Sequence, residues 1–310
     1  MYRTFVILRH TFLEAIVQPI FTLLLALGAI ILCIFGMLPF FTLGEDTVMF
    51  KSVGLDVILL AVLIVTLFAT SRSIFEEIED RTMLTLMSKP VRKWEVLVGK
   101  YLGIISASLL AITILGAILI LCMWWRLPAD YQLRTRSIDE KEIKQLLDMR
   151  MMHLAGLIPS LVLMWLQIAV LAAIGVALST RFSLVVNLPI VIILYIAGNL
   201  TRFLFPIAWG SGAGDAGTPL QGRSPIVKGI AYVMSLILPY LETFDLRQKT
   251  VYGTIKLANT MYASDPRGVS LTEIWSYTGV ATIYAVAYAA FALAIGMWLF
   301  QGRELGGSEG

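Results

Sequence analysis

From Pro19 to Phe41 the chain runs the length of a helical membrane span without one charged residue. A bilayer's hydrocarbon core is about 30 Å thick, so about 20 apolar residues in a helix cross it. Lipid offers the backbone no hydrogen-bond partner, which leaves a helix or a closed barrel as the only spanning forms. Five further stretches reach this length: Val53 to Ser71, Leu97 to Trp125, Leu157 to Ser179, Leu184 to Pro206 and Ile274 to Phe300. The ten-residue alternation of a barrel strand is missing, and runs such as Phe21 to Phe35 are apolar on every face. The expected fold is all-α, a single polytopic membrane domain with six transmembrane helices. With 58% hydrophobic and 15% charged residues, too few polar side chains remain to cover a soluble globule. Membrane lipid is therefore the first partner.

Several other classes fall away on composition. A net charge of +3, with no basic run interleaved with aromatics, gives nucleic acid nothing to recognise. Cys33 and Cys122 sit inside apolar runs, where a thiol acts as a small hydrophobe. His10 and His153 lack neighbours at metal-ligand spacing, so no metal site is expected.

The segments between spans have their own patterns. In residues 1–18, Phe5, Leu8, Phe12 and Ile16 recur at steps of three and four while Arg3, Arg9, Glu14 and Gln18 take other faces, as in an interfacial amphipathic helix. Pro19 permits a turn into the membrane. The apolar run that follows is too long for a signal peptide and has no small-x-small site after it, so cleavage is not expected. Residues 72–89 carry Glu76, Glu77, Glu79 and Asp80 within a turn and a half, which cannot lie in hydrocarbon. Ile74, Phe75 and Ile78 give this helix a narrow apolar face, and Pro90 stops it. Arg92, Lys93 and Lys100 then flank the third span as anchors would.

Residues 126–156 form a polar excursion with a Ser137/Glu140 capping box, and residues 207–273 form a longer one. The latter holds an apolar piece, Ile226 to Leu241, that reads as a helix on the outer rim and is short for a span. Ser270 and Glu273 make a second capping box before the last span. The Arg92, Lys93, Lys100 cluster and Arg181, set against Lys51 in the first opposite loop, favour cytoplasmic N- and C-termini.

Nucleotide chemistry has no visible home in this chain. Gly99-Lys100 is followed by Tyr101, not by the Ser or Thr of a P-loop, and the glycines at 212, 214 and 217 neither follow a strand nor open a helix. Asp56, Gln167, Asn187, Asn199 and Arg202 are the polar residues within or beside spans. They either contact a transported molecule or hydrogen-bond between helices. No acid lies at mid-span to carry an ion, which weighs against an ion-coupled carrier.

The stretch from Glu76 to Gly103, EEIEDRTMLTLMSKPVRKWEVLVGKYLG, resembles the permease subunits of ABC-2 type exporters, the group that includes the copper-processing and gliding-motility permeases. RHTFLEAI near the N-terminus, Leu238 to Gly253 and the ending LFQGREL are similar to the same family. Arg81 stands where many relatives have Gly. The resemblance implies an exporter subunit without catalytic residues or cofactors of its own, ATP and Mg being held by a partner ABC ATPase present in two copies. It implies a second permease subunit, identical or homologous, and a place in the inner membrane of the cell. Residues 72–89 would then be a coupling helix, with Glu76, Glu77, Glu79, Asp80, Arg81, Thr82, Ser88 and Pro90 at the ATPase interface. The competing classes are an ion-coupled secondary transporter and a membrane anchor that transports nothing.

Overall fold

The computed structural model describes residues 2–38, 46–75, 77, 92–126, 140–200, 238–258, 260–263 and 265–301. The helices are α1 (Tyr2–Val17), α2 (Pro19–Met37), α3 (Asp46–Ser73), α4 (Lys93–Trp125), α5 (Glu140–Leu178), α6 (Leu184–Asn199), the single-turn α7 (Arg247–Thr250) and α8 (Leu271–Gln301). A 3-10 turn, Leu241–Phe244, precedes α7, and strands β1 (Ile255–Lys256) and β2 (Val269–Ser270) follow it. Among the described residues five helices, α2, α3, α4, α5 and α8, are long and apolar enough to cross a membrane. The sixth expected span is represented by α6, whose 16 residues measure about 24 Å along the axis. The chain is an all-α polytopic membrane protein. Among the described residues the one departure is the parallel β1-β2 ladder, where Ile255 pairs with Val269.

Successive long helices alternate in direction, and contacts at their tips define two ends. At the first, the Lys51 end, Arg126 at the close of α4 donates to the carbonyls of Phe35 at 3.2 Å and Leu38 at 3.1 Å. These are carbonyls that the C-terminus of α2 leaves without a helical partner or nearly so. Lys51 in α3 donates to the Val251 carbonyl at 2.9 Å. At the opposite, Lys100 end, Lys93 donates to the Phe300 carbonyl at 3.1 Å and Arg181 to that of Leu299 at 3.1 Å, so two cations meet the negative end of α8. The tip of α8 and helix α1 share this end.

Helix α5 is the hub of the bundle. Its most apolar stretch is 78% buried, against 17% for α2 and 28% for α8, which leaves the latter two to face lipid. It runs unbroken from Glu140, so the excursion helix expected before the fourth span is the first part of the same element. Ser137, the expected cap, lies outside the described residues. Pro159 is buried inside α5 without ending it. Prolines are tolerated in membrane helices when neighbouring groups supply the lost backbone bond.

Helix α1 docks on α4, and of its expected apolar face Phe12 and Ile16 pack on the core while Leu8 is half-buried. A Cβ on Gly99 would come within 2.9 Å of Ile7, and one on Gly103 within 2.7 Å of Thr11 and 2.8 Å of the Leu8 carbonyl. The pair is a small-xxx-small motif, which lets helix backbones approach closely. Thr11 and Ala15 are accordingly buried, while Phe5 is 61% exposed. Lys51 also differs from expectation: it is not a loop charge but a buried residue of α3. Most of the apolar piece Ile226 to Leu241 lies outside the described residues. Its end, Pro239 with Leu241, packs against Gly198, so the chain rejoins the bundle where α6 stops.

Because the α1 to α4 contact depends on the absence of a side chain, Gly103→Val should overpack it. A loss of about 1–3 kcal/mol is expected, read as earlier thermal unfolding and faster proteolysis of α1. Gly279, whose added Cβ would meet nothing within 4 Å, serves as the control, and Gly279→Val should leave both readouts unchanged.

Candidate functional site

The Lys100 end is built around one buried cation. Lys100 lies seven residues into α4, about two turns from its start, where its side chain is only 3% exposed. It donates to the carbonyl of Ser73, the last residue of α3, and sits 2.7 Å from a carboxylate oxygen of Glu77. A carbonyl at a helix C-terminus carries partial negative charge, so the ammonium is held by a helix end and a carboxylate together. Nearby Ile74 is fully buried with Val96, Leu97 and Phe300, which anchors the segment just beyond α3 in the core. The start of α4 is fixed by Glu95, whose carboxylate accepts the Arg92 amide at 3.0 Å.

Of the expected interface residues, Glu77 is described and is 27% exposed. Glu76, Glu79, Asp80, Arg81, Thr82, Ser88 and Pro90 lie outside the described residues. Lys100 is not the surface anchor its sequence position suggested. The overlooked signal was depth: a lysine two turns inside an apolar helix needs a partner.

The Lys51 end holds a second polar assembly. A cavity of about 180 Å³ opens between α3, α5 and α6 beneath the Phe244–Arg247 segment. Ser160, Met164 and Gln167 enter its wall from α5 at steps of four and three, so they share one helix face. Tyr195 and Asn199 come from α6, one turn apart. The Gln167 amide donates to the Asn199 side-chain oxygen at 3.3 Å, and Asn199 donates to the Tyr195 carbonyl at 2.8 Å. Deeper toward the Lys100 end, Asn187 donates to the Gly175 carbonyl at 3.0 Å. Both amides thus bond between helices, as one of the two sequence readings held.

Asp56 joins this wall from α3. Counting ten residues from Asp46, it stands about 15 Å below that helix tip, within the apolar stretch of the span. An acid within a span is costly unless it is partnered or reaches water, and Asp56, 57% exposed, has both. Its partner is Arg247, which pairs with Asp56 and also stands 3.7 Å from Asp245. Asp245 further accepts the Arg247 amide at 3.0 Å. The roof carrying these groups is hung from α8, where Tyr277 donates to the Thr243 carbonyl at 2.8 Å and the Tyr240 amide donates to the Tyr284 hydroxyl at 2.9 Å. Asp56 was visible in the sequence as an intramembrane acid, whereas Arg247 lies 191 positions away and has no motif linking the two.

Residues 44–305 match the family model described as ABC-2 family transporter protein. The chain belongs to the ABC-2 transporter family. No curated protein matches it closely enough to count as a relative. As an ABC-2 family member it is a multi-pass membrane component of a transporter, and the match spans both the Lys100 cluster and the cavity.

Removing one partner of a buried pair strands the other, at a cost of about 3–5 kcal/mol. In this ABC-2 chain Glu77→Leu, which leaves the buried Lys100 ammonium with the Ser73 carbonyl alone, should therefore destabilise strongly, and Lys100→Met placed on top of it should recover a large part of the loss. Thermal unfolding of the two single variants and the double variant checks this. Additive losses would show that the two side chains do not interact.

Proposed function

We propose that this chain is the permease subunit of an ATP-driven ABC-2 exporter of the inner membrane, with the Lys100 end and both termini in the cytoplasm. Two copies of a separate ABC ATPase hold ATP and Mg, and a second permease, identical or homologous, completes the membrane domain. Residues 72–89 act as the coupling helix, presenting Glu76, Glu79, Asp80, Arg81, Thr82, Ser88 and Pro90, with Glu77 at its root, to a groove of the ATPase.

The observation that carries this reading is the Lys100 contact set. One buried ammonium binds both Ser73 at the end of α3 and Glu77 just beyond it. A force applied to the segment after Glu77 is therefore transmitted to α3 and α4 together, not absorbed by a loose joint. ATP-driven closure of the two ATPase subunits pulls on the lever, and the bundle opens at its Lys51 end. Reversing a 1:99 population takes about 5.5 kcal/mol of differential binding, a quantity that tight nucleotide-dependent closure supplies in one step. Carboxylates on the lever pair with basic groups of the groove, which fixes orientation as well as affinity.

The test reverses charge on the lever. In Glu77→Lys with Glu79→Lys, a co-expressed candidate ABC ATPase should no longer co-purify, and transport-linked hydrolysis should fall at least tenfold. Intact assembly with intact hydrolysis rejects the coupling role. Transport that collapses with the proton or sodium gradient but survives loss of ATP supports a secondary carrier instead.

A further inference from the structure

We propose that the cavity at the Lys51 end is a binding site for the ammonium head of an alkylamine-type amphiphile, which displaces Arg247 from Asp56. The site's biological meaning as a cargo station rests on the exporter reading above, but the binding itself does not.

Charge selects the sign of the ligand. Among the described residues that line the cavity, two carboxylates, Asp56 and Asp245, face one guanidinium, that of Arg247. The balance is one net negative charge, so a cation is drawn in and an anion meets a cation already paired. Asp56 is 57% exposed, against 23% for Arg247, so an incoming cation reaches the carboxylate without first dismantling the roof. The Gln167 amide gives its N–H to Asn199, which leaves its carbonyl oxygen as an acceptor in the wall. Tyr195 and Phe244 add aromatic faces, which attract cations.

Size selects the rest. A space of about 180 Å³ is below the roughly 300–1,000 Å³ of pockets that enclose a drug-sized ligand. An ammonium and its first few methylenes fit, and a longer chain must remain outside. Leu55, Leu59 and Met164 in the same wall accept the first methylenes. A primary ammonium on an alkyl chain is the simplest molecule that meets the charge, the volume and the mixed lining.

The two partners of the ion pair give opposite expectations, which separates a ligand site from a structural latch. The full chain is reconstituted without ATPase in phosphatidylcholine nanodiscs, and octylammonium, octanoate and octanol are titrated calorimetrically at pH 7 against empty nanodiscs. Octylammonium should bind saturably above the lipid background, whereas octanoate and octanol should not. Asp56→Asn should weaken octylammonium at least tenfold, and Arg247→Gln, which removes the resident cation, should strengthen it several-fold. Equal behaviour of the three probes overturns the proposal, as does an unchanged Asp56→Asn variant. Weakening by both variants alike also overturns it, because it reports a latch alone. Thermal unfolding of each variant verifies folding, and Gly279→Val, which lies outside the cavity lining and has open space around it, should leave the preference for octylammonium over octanoate in place. Since no ATPase is present, failure here leaves the coupling test untouched, and failure of coupling leaves this binding unchanged.

Discussion

The arrangement of this bundle depends on a lysine placed where lysines do not ordinarily survive. With its side chain almost wholly buried, Lys100 must be answered by acceptors, and it is answered by the tip of α3 and by Glu77. That requirement fixes how far α4 stands from the end of α3. Gly99 and Gly103, flanking Lys100, then fix where α1 lies. Lys93, at the start of the same helix, reaches the last turn of α8 and also lies 5.1 Å above the Phe300 ring. One helix thus gathers α3 and α8 at a single end through cations that lipid could not satisfy, and α1 through close packing.

The two ends differ in how their charges are held. At the Lys100 end the ammonium is almost wholly buried while its partner Glu77 is 27% exposed, and removing that partner leaves a buried charge with the Ser73 carbonyl alone, so the contact behaves as a stiff joint. At the Lys51 end the Asp56–Arg247 pair is half open, and pairs of that kind are worth about 0–1 kcal/mol. The cavity beneath it is roofed by a short segment tied to α8 by two tyrosines. Under the exporter proposal, work enters at the stiff end and a compartment opens at the yielding one. Stability is expected to be uneven along the bundle for the same reason, lowest where polar groups are shared with solvent.

The all-α class and the apolar character of five of the six expected spans were legible because lipid imposes length and composition directly, whereas the sixth, Leu184 to Pro206, is described only as the 16-residue α6. The Ser270 cap was legible too: its hydroxyl accepts the Glu273 amide at 3.3 Å at the start of α8. What sequence could not give was which polar residues meet. Lys51 read as a loop charge because periodicity says nothing of the Val251 carbonyl 200 positions later. On α1 the expected face is met in part: Phe12 and Ile16 pack on the core and Leu8 is half-buried, but Phe5 is exposed, and close packing on Gly99 and Gly103 makes the smaller Thr11 and Ala15 the most buried. Asp56, Gln167 and Asn199 each stood out singly, and only the fold draws them around one space.

The central claim is that the Lys100 end faces the compartment that holds ATP. Single cysteines at Trp94, 43% exposed at that end, and at Tyr252, 56% exposed at the other, report it once Cys33 and Cys122 have been replaced. A membrane-impermeant maleimide applied to intact cells should label position 252 and not 94, with the pattern reversed in inverted vesicles. Labelling of position 94 from outside intact cells would put the lever beyond the reach of any cytoplasmic ATPase and contradict the account.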